Sequence, residues 1–269
     1  MLRGVVLLSV ILWWSVVPSE KLQPKTVEAW NDYVRQTEGR IERQRHTEDA
    51  FLFTDWLPPD ERTAARSQMA AGQVFVKHVG GRSVEVDHGL IHDWMGAVWL
   101  PGAKLKPLIA WVQDYDLHSK YFQEVAASKL LSREGDVFKI YYRFRRKKVV
   151  TVYYNTEHTV DYHVLRDTPA EGRAYSRSVA TRIAEIQRAG QSHEKESPVG
   201  DDSGFLWRLN SYWQFKETPE GVLLECESIS LSRPIPGGLA WAIQGFVESV
   251  PEESLVNTLT SIRKGFSGK

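Results

Sequence analysis

Apolar positions along the chain change period twice. Val27, Trp30, Val34 and Ile41 stand at i, i+3, i+7 and i+14 within Thr26 to Arg45, among charged neighbours. That spacing predicts an amphipathic helix. Phe51 to Leu57 then meets the break Pro58-Pro59, and alanine-rich Glu61 to Ala71 predicts a short helix stopped by Gly72. From Gln73 the period becomes two. QVFVKHV alternates, Gly80-Gly81 marks a hairpin turn, and Ser83 to Asp87 and Ile91 to Leu100 read as further strands ended by Pro101-Gly102. Leu105 to Asp114 is apolar and helical, with a second turn expected over His118 to Val125.

A run of strands follows. Phe138, Ile140, Tyr142 and Phe144 alternate with Val137, Lys139, Tyr141 and Arg143, and Arg145-Arg146-Lys147-Lys148, within the basic run Arg143 to Lys148, reads as a solvated turn. The longest strand covers Val149 to Leu165, with Val150, Val152, Tyr154, Thr156, His158, Val160, Tyr162 and Val164 on the face expected to be buried. Arg173 to Ile186 is a strand, Ala189 to Gly204 a long polar loop, and Trp207 to Lys216 a strand with Trp207, Leu209, Ser211, Trp213 and Phe215 on one face. Val222 to Ser232 is the last strand. Leu239 to Val247 reads as a short helix, and Pro251 as a first-turn proline opening a final helix with the stripe Leu255, Leu259, Ile262, Phe266. A sheet with an apolar face needs a cover, and the final helix is the obvious one. The expected fold class is α+β.

The N-terminus changes the picture of where the protein works. Arg3 precedes Gly4 to Val17, an uncharged apolar run of 14 residues, which fits the hydrophobic region of a secretory signal and is short for a membrane span. Cleavage is expected after Ser19; an uncleaved anchor in residues 4–17 is the alternative. The expected organisation is residues 1–19 as signal peptide or anchor, 20–72 as a helical N-terminal extension, and 73–269 as the main domain. Export to the periplasm or extracellular space follows, with membrane association through residues 4–17 in the alternative where the segment stays uncleaved.

Composition narrows the partners. Formal net charge is zero, from 34 basic and 34 acidic side chains, so no global field attracts nucleic acid. The single cysteine, Cys226, excludes an intrachain disulfide and a cysteine-based zinc site. Ten Trp, ten Tyr and ten Phe supply aromatic surface for a large core and for an apolar cavity.

The order of elements, with the pieces WLPGAKLKPLIAWVQDYDLHSKYFQEV, SRSVATRIAEI, LWRLNSYWQF, ECESISLSRPIP and VPEESLVNTL, resembles START-like members of the Bet v 1/polyketide-cyclase (SRPBCC) superfamily. The likeness spans about residues 73–266 and rests on the order of the pieces rather than on any one sharp motif. It implies a helix-grip fold, a curved antiparallel sheet around the C-terminal helix with a cavity between them. It implies a lipid, sterol or other hydrophobic small molecule as partner, or a cyclase or dehydratase reaction.

The residues themselves carry little sharp chemistry. G-x-S-x-G, H-E-x-x-H, P-loop and G-x-G-x-x-G patterns are absent, and no cofactor is expected. His88 and His92 have a metal-ligand spacing only on a helix, and their segment reads as strand and turn, so no metal is expected. His158, between Tyr154 and Tyr162 on the apolar face, is the histidine to watch: a core residue, a ligand contact, or an acid–base group. Trp207 and Trp213 are candidate cavity walls. Glu225 and Glu227 flank Cys226; they are either solvated or turned inward, where one pairs with Arg182. The expected ligand-binding set is Tyr154, His158, Tyr162, Arg182, Trp207 and Trp213. Binding without catalysis is the leading function, with an enzyme acting at His158 or a filled-core interaction module as alternatives.

Overall fold

The computed structural model describes residues 19–47, 49–147, 151–168, 171–234 and 240–266, the side chains of 240–248 excepted. The apolar run 4–17 and the turn at Pro236-Gly237-Gly238 lie outside the described residues. A short strand β1 (Glu20–Lys21) leads to helix α1 (Pro24–Arg45), a 3₁₀ turn at Phe53–Trp56 and helix α2 (Pro59–Ala70). Strands β2 (Phe75–His78), β3 (Val84–Val86) and β4 (Gly89–Pro101) come next, then α3 (Leu105–Val112), a 3₁₀ turn at Tyr115–Leu117 and α4 (His118–Tyr121). The remaining strands are β5 (Val125–Glu134), β6 (Val137–Lys147), β7 (Thr151–Arg166), β8 (Arg173–Gln187), the two-residue β9 (Lys195–Glu196) and β10 (Asp201–Asp202), β11 (Arg208–Thr218) and β12 (Gly221–Ser232). Helix α5 (Ala240–Phe266) closes the chain.

One antiparallel sheet organises the molecule, in the order β2-β4-β12-β11-β8-β7-β6-β5, with β3 added to β4 and β9 to β8. Its inner face packs on α3 and α5 through the largest apolar cluster, which includes Leu108, Phe138, Tyr154, Phe215, Leu255 and Leu259. This is the α+β helix-grip architecture expected from the sequence. Gly96 on β4 lets α5 approach: a Cβ there would lie 2.6 Å from Leu259 Cδ1 and 3.0 Å from Leu255 Cγ.

The outer face is covered as well. Trp30, Val34 and Ile41 of α1 pack on Ile91, Tyr212, Ile229 and Leu231, and Met69 of α2 packs on Met95 and Ala97. Glu225 and Glu227 are therefore neither solvated nor paired with Arg182. Glu225 accepts the backbone N–H of Phe53 at 2.7 Å and of Thr54 at 3.2 Å. Glu227 pairs with Arg40 of α1. The reason is long-range: the segment preceding the sheet lies across the strands that carry them.

Several elements differ from the expected ones, among them the two-residue strands β9 and β10 inside the expected loop Ala189 to Gly204. Val125–Glu134 forms a strand, β5, that its sequence does not announce. Arg143 to Lys147 continue β6 rather than forming a solvated turn, and Lys148 lies outside the described residues. Residues 240–266 form one helix with Pro251 inside it, not two helices.

Candidate functional site

Between the inner sheet face and α5 lies a cavity of about 210 Å³. The sheet floor comes from β6, β7, β8, β11 and β12, the roof from Val250 to Ile262 of α5, and the flanks from Val112, Tyr115, Phe122 and the loop residues Phe205 and Leu206. Alternation sends every second floor residue inward. On β6 this gives Ile140, Tyr142, Phe144 and Arg146; on β7, Tyr154, His158, Val160 and Tyr162.

Four of the six residues expected to contact a ligand line this cavity: Tyr154, His158, Tyr162 and Trp213. Arg182 does not. A register shift on β8 pairs Glu157 with Arg182 but His158 with Ala180. The extra residue turns Arg182 outward, where it pairs with Glu196. Trp207 does not either. It precedes the first residue of β11, so the strand's alternation does not reach it. Its indole N–H donates to Asp202 Oδ1 at 3.1 Å, and its ring packs with Trp30 and Leu231.

The polar groups of the cavity set its chemistry. Arg146 enters it from the end of β6 and pairs with Glu124. Glu124 also accepts from Asn257 Nδ2 at 3.2 Å and Ser254 Oγ at 3.4 Å, both on α5. Burial lowers the Arg146 guanidinium to about 10, still protonated at neutral pH. The Tyr154 hydroxyl is buried with no hydrogen-bond partner among the described residues, and burial raises its pKa well above the ordinary tyrosine value. A buried hydroxyl left unpaired costs roughly 1–3 kcal/mol, so this end of the cavity has an unmet donor.

Farther along the floor His158 bonds Thr156 Oγ1 through Nε2 at 2.9 Å and Ser178 Oγ through Nδ1 at 3.4 Å. Burial lowers its pKa to about 4, so the ring is neutral at pH 7. His118 is held by its Nε2, which donates to the Val112 carbonyl at 3.1 Å, leaving Nδ1 to accept from the Tyr142 hydroxyl at 2.7 Å. The Tyr162 and Tyr115 hydroxyls bond each other at 2.7 Å. Cys226 also faces the cavity; burial, then the Glu227 charge, raise its thiol pKa, which keeps it protonated and unreactive.

Sequence reasoning missed Arg146 and Glu124. Arg146 was legible: it is the next even residue after Phe138, Ile140, Tyr142 and Phe144. Taking the basic run as a turn ended the alternation one step early. Glu124 sits in an irregular link between α4 and β5, and no periodicity points to it.

The arrangement can enclose an apolar body and hold a polar end. It is less suited to acid–base turnover at His158, because both ring nitrogens are engaged by the hydroxyls of Thr156 and Ser178.

No family model and no curated protein matches the sequence. Among solved structures, the chain is similar to a STAR-related lipid transfer protein fragment from Xanthomonas axonopodis. Identity is 17%, the match covers 71% of this chain and 97% of that one, and the TM-score is 0.44. It is also similar to the lipid transfer and protein localization domain of human StarD13, at 10% identity over 78% of this chain and 98% of that one, with a TM-score of 0.41. The Zhui aromatase/cyclase from Streptomyces is a further neighbour, at 10% identity over 72% of this chain and 94% of that one, with a TM-score of 0.40.

Proposed function

We propose that the protein binds a lipid or other hydrophobic small molecule in the cavity under α5, with the ligand's polar end at Arg146, Glu124 and Tyr154. One observation carries this reading. An apolar-walled cavity contains a buried tyrosine hydroxyl that no described protein group satisfies. Burial of the ligand's apolar surface supplies affinity at about 25 cal/mol per Å², and the polar end fixes its orientation. The test is native mass spectrometry of the purified protein, with uptake of an apolar naphthalene-sulfonate probe in parallel. A co-purified small molecule, or probe fluorescence displaced by a lipid extract, is expected. No bound mass and no probe uptake overturn the reading.

The proposal extends to location. The apolar run 4–17 behind Arg3 supports export, with the ligand met outside the cytoplasm. N-terminal sequencing of protein from its native host checks this; a soluble cytoplasmic chain retaining Met1 overturns it.

A further inference from the structure

The cavity floor carries a row of hydroxyls that the polar end at Arg146 does not explain. Ser178 of β8 pairs directly with Ser211 of β11, and Ser211 pairs directly with Ser228 of β12. All three face the cavity. Neighbouring strands lie about 4.8 Å apart, so the row spans roughly 10 Å across the sheet. Among the described residues Ser211 and Ser228 have no side-chain hydrogen bond, and Ser178 has only the long contact to His158. Through that contact the row continues onto β7, to His158 and Thr156.

A sheet face built only to pack against a helix uses β-branched and aromatic side chains. Three mutually opposed serines forgo that packing and leave hydroxyls to be satisfied by something inside the cavity. A ligand with a single terminal polar group, seated at Arg146, cannot satisfy them. Tyr154 pairs with Glu185, whereas Ser178 pairs with Val160, six residues further along β7. At about 3.3 Å per residue the register position of the three serines stands roughly 20 Å along the strand from Tyr154.

We infer that the serine row is a specificity element, and that the ligand is an apolar framework bearing two or more hydroxyl or carbonyl oxygens along one edge. This rests on the binding reading above and narrows it. A plain acyl chain would leave the row unsatisfied. A multiply oxygenated, otherwise hydrocarbon framework would lay its oxygens on the floor and its apolar side against α5.

Cholate and lithocholate test this, because they share one skeleton and one carboxylate and differ in hydroxyls on a single face. Both are used below their micellar concentrations, as competitors of the naphthalene-sulfonate probe, on wild type and on the S178A/S211A/S228A variant. The quantity read is the ratio of the two affinities. A hydrogen bond contributes about 0.5–1.5 kcal/mol net, so the substitutions should shift the ratio toward lithocholate at least about threefold. A smaller shift, or competition by neither bile acid, overturns the inference while probe uptake leaves the binding reading standing. Absence of probe uptake in wild type overturns the binding reading itself. S211A and S228A remove hydroxyls without a side-chain partner, whereas S178A also removes the long contact to His158 Nδ1; if the triple variant does not fold, S211A/S228A carries the same ratio test.

Discussion

At the scale of single residues, burial decides which protonation states the interior uses. His92, His118 and His158 each have a pKa lowered to about 4, chiefly by desolvation. An unfolded histidine takes up its proton near pH 6.5. Between those values the unfolded chain binds the extra proton, so each ring contributes stability that is present above about pH 6.5 and lost as pH falls toward 4. Glu225 and Asp202, raised by burial to about 7, act in the opposite sense: their folded forms hold protons that the unfolded chain has released. The raw pH profile therefore mixes both signs, and a variant must isolate one. Relative to His158→Phe, the wild type should lose about 2 kcal/mol between pH 7 and pH 4.5 in denaturant melts. A constant difference across that range would mean that His158 is not buried as a neutral ring. The same variant should still take up an apolar probe if the protein is a binder, whereas an enzyme using His158 would lose about 10²–10⁴-fold in turnover. The Arg146–Glu124 pair gives a second residue-level outcome. Glu124→Gln leaves a buried guanidinium without its counter-charge and should cost about 3 kcal/mol. Replacing both residues by leucine should restore most of that loss in the same melts.

At the scale of elements, the sheet and its helical cover are read most directly from the chain. β7 is legible because one face is buried: Val152, Tyr154, Thr156, His158, Val160 and Tyr162 are all buried at period two. β5 is not legible, because an edge strand with most side chains exposed imposes no period on its sequence. The final helix is legible by its stripe but not by its start. Pro251 fits a first turn equally well, and the structure carries the helix through it at the loss of one backbone hydrogen bond. The serine row is invisible in one dimension, since only the register of β8, β11 and β12 brings Ser178, Ser211 and Ser228 side by side. Gly96 is legible only as a weak point in a strand; the structure gives its reason in the close approach of Leu255 and Leu259. Leu259 is fully buried, so Leu259→Ala should cost about 2–5 kcal/mol. Gly96→Ala should cost about 1–3 kcal/mol by overpacking the same contact. Because the two sites touch, the double variant should fall short of the sum by at least about 0.5 kcal/mol in a denaturant melt. Additivity within about 0.3 kcal/mol would mean that α5 does not rest on β4 at this point.

At the scale of the whole molecule, the N-terminal segment is part of the sheet's support rather than an appendage. The outer face of β4, β11 and β12 is built for a cover. Asp93, Glu225 and Glu227 are all at most 5% exposed on that face. Burial and the neighbouring Glu227 raise the Asp93 pKa well above the ordinary carboxyl value, which keeps the proton there. Arg40 of α1 then neutralises Glu227, and Tyr33 of α1 donates to Asp93 Oδ2 at 2.8 Å. Further along, the Gln214 amide donates to the Phe51 carbonyl at 2.7 Å. None of these partners lies in residues 73–269, so a chain beginning at Gln73 would expose the apolar patch of Met95, Ala97, Ile229 and Leu231 beside carboxylates whose partners are gone. Such a chain should show no cooperative thermal transition and should aggregate. A cooperative melt within a few degrees of the full protein would show the segment to be dispensable. Arg40→Met separates loss of charge compensation from loss of cover. With α1 still in place it should cost about 3 kcal/mol, because it strands a buried carboxylate, and Arg40→Met with Glu227→Met should recover most of that. If the single variant costs nothing, the outer face is held by apolar packing alone, and truncation should be rescued by substituting polar residues for Ile229 and Leu231.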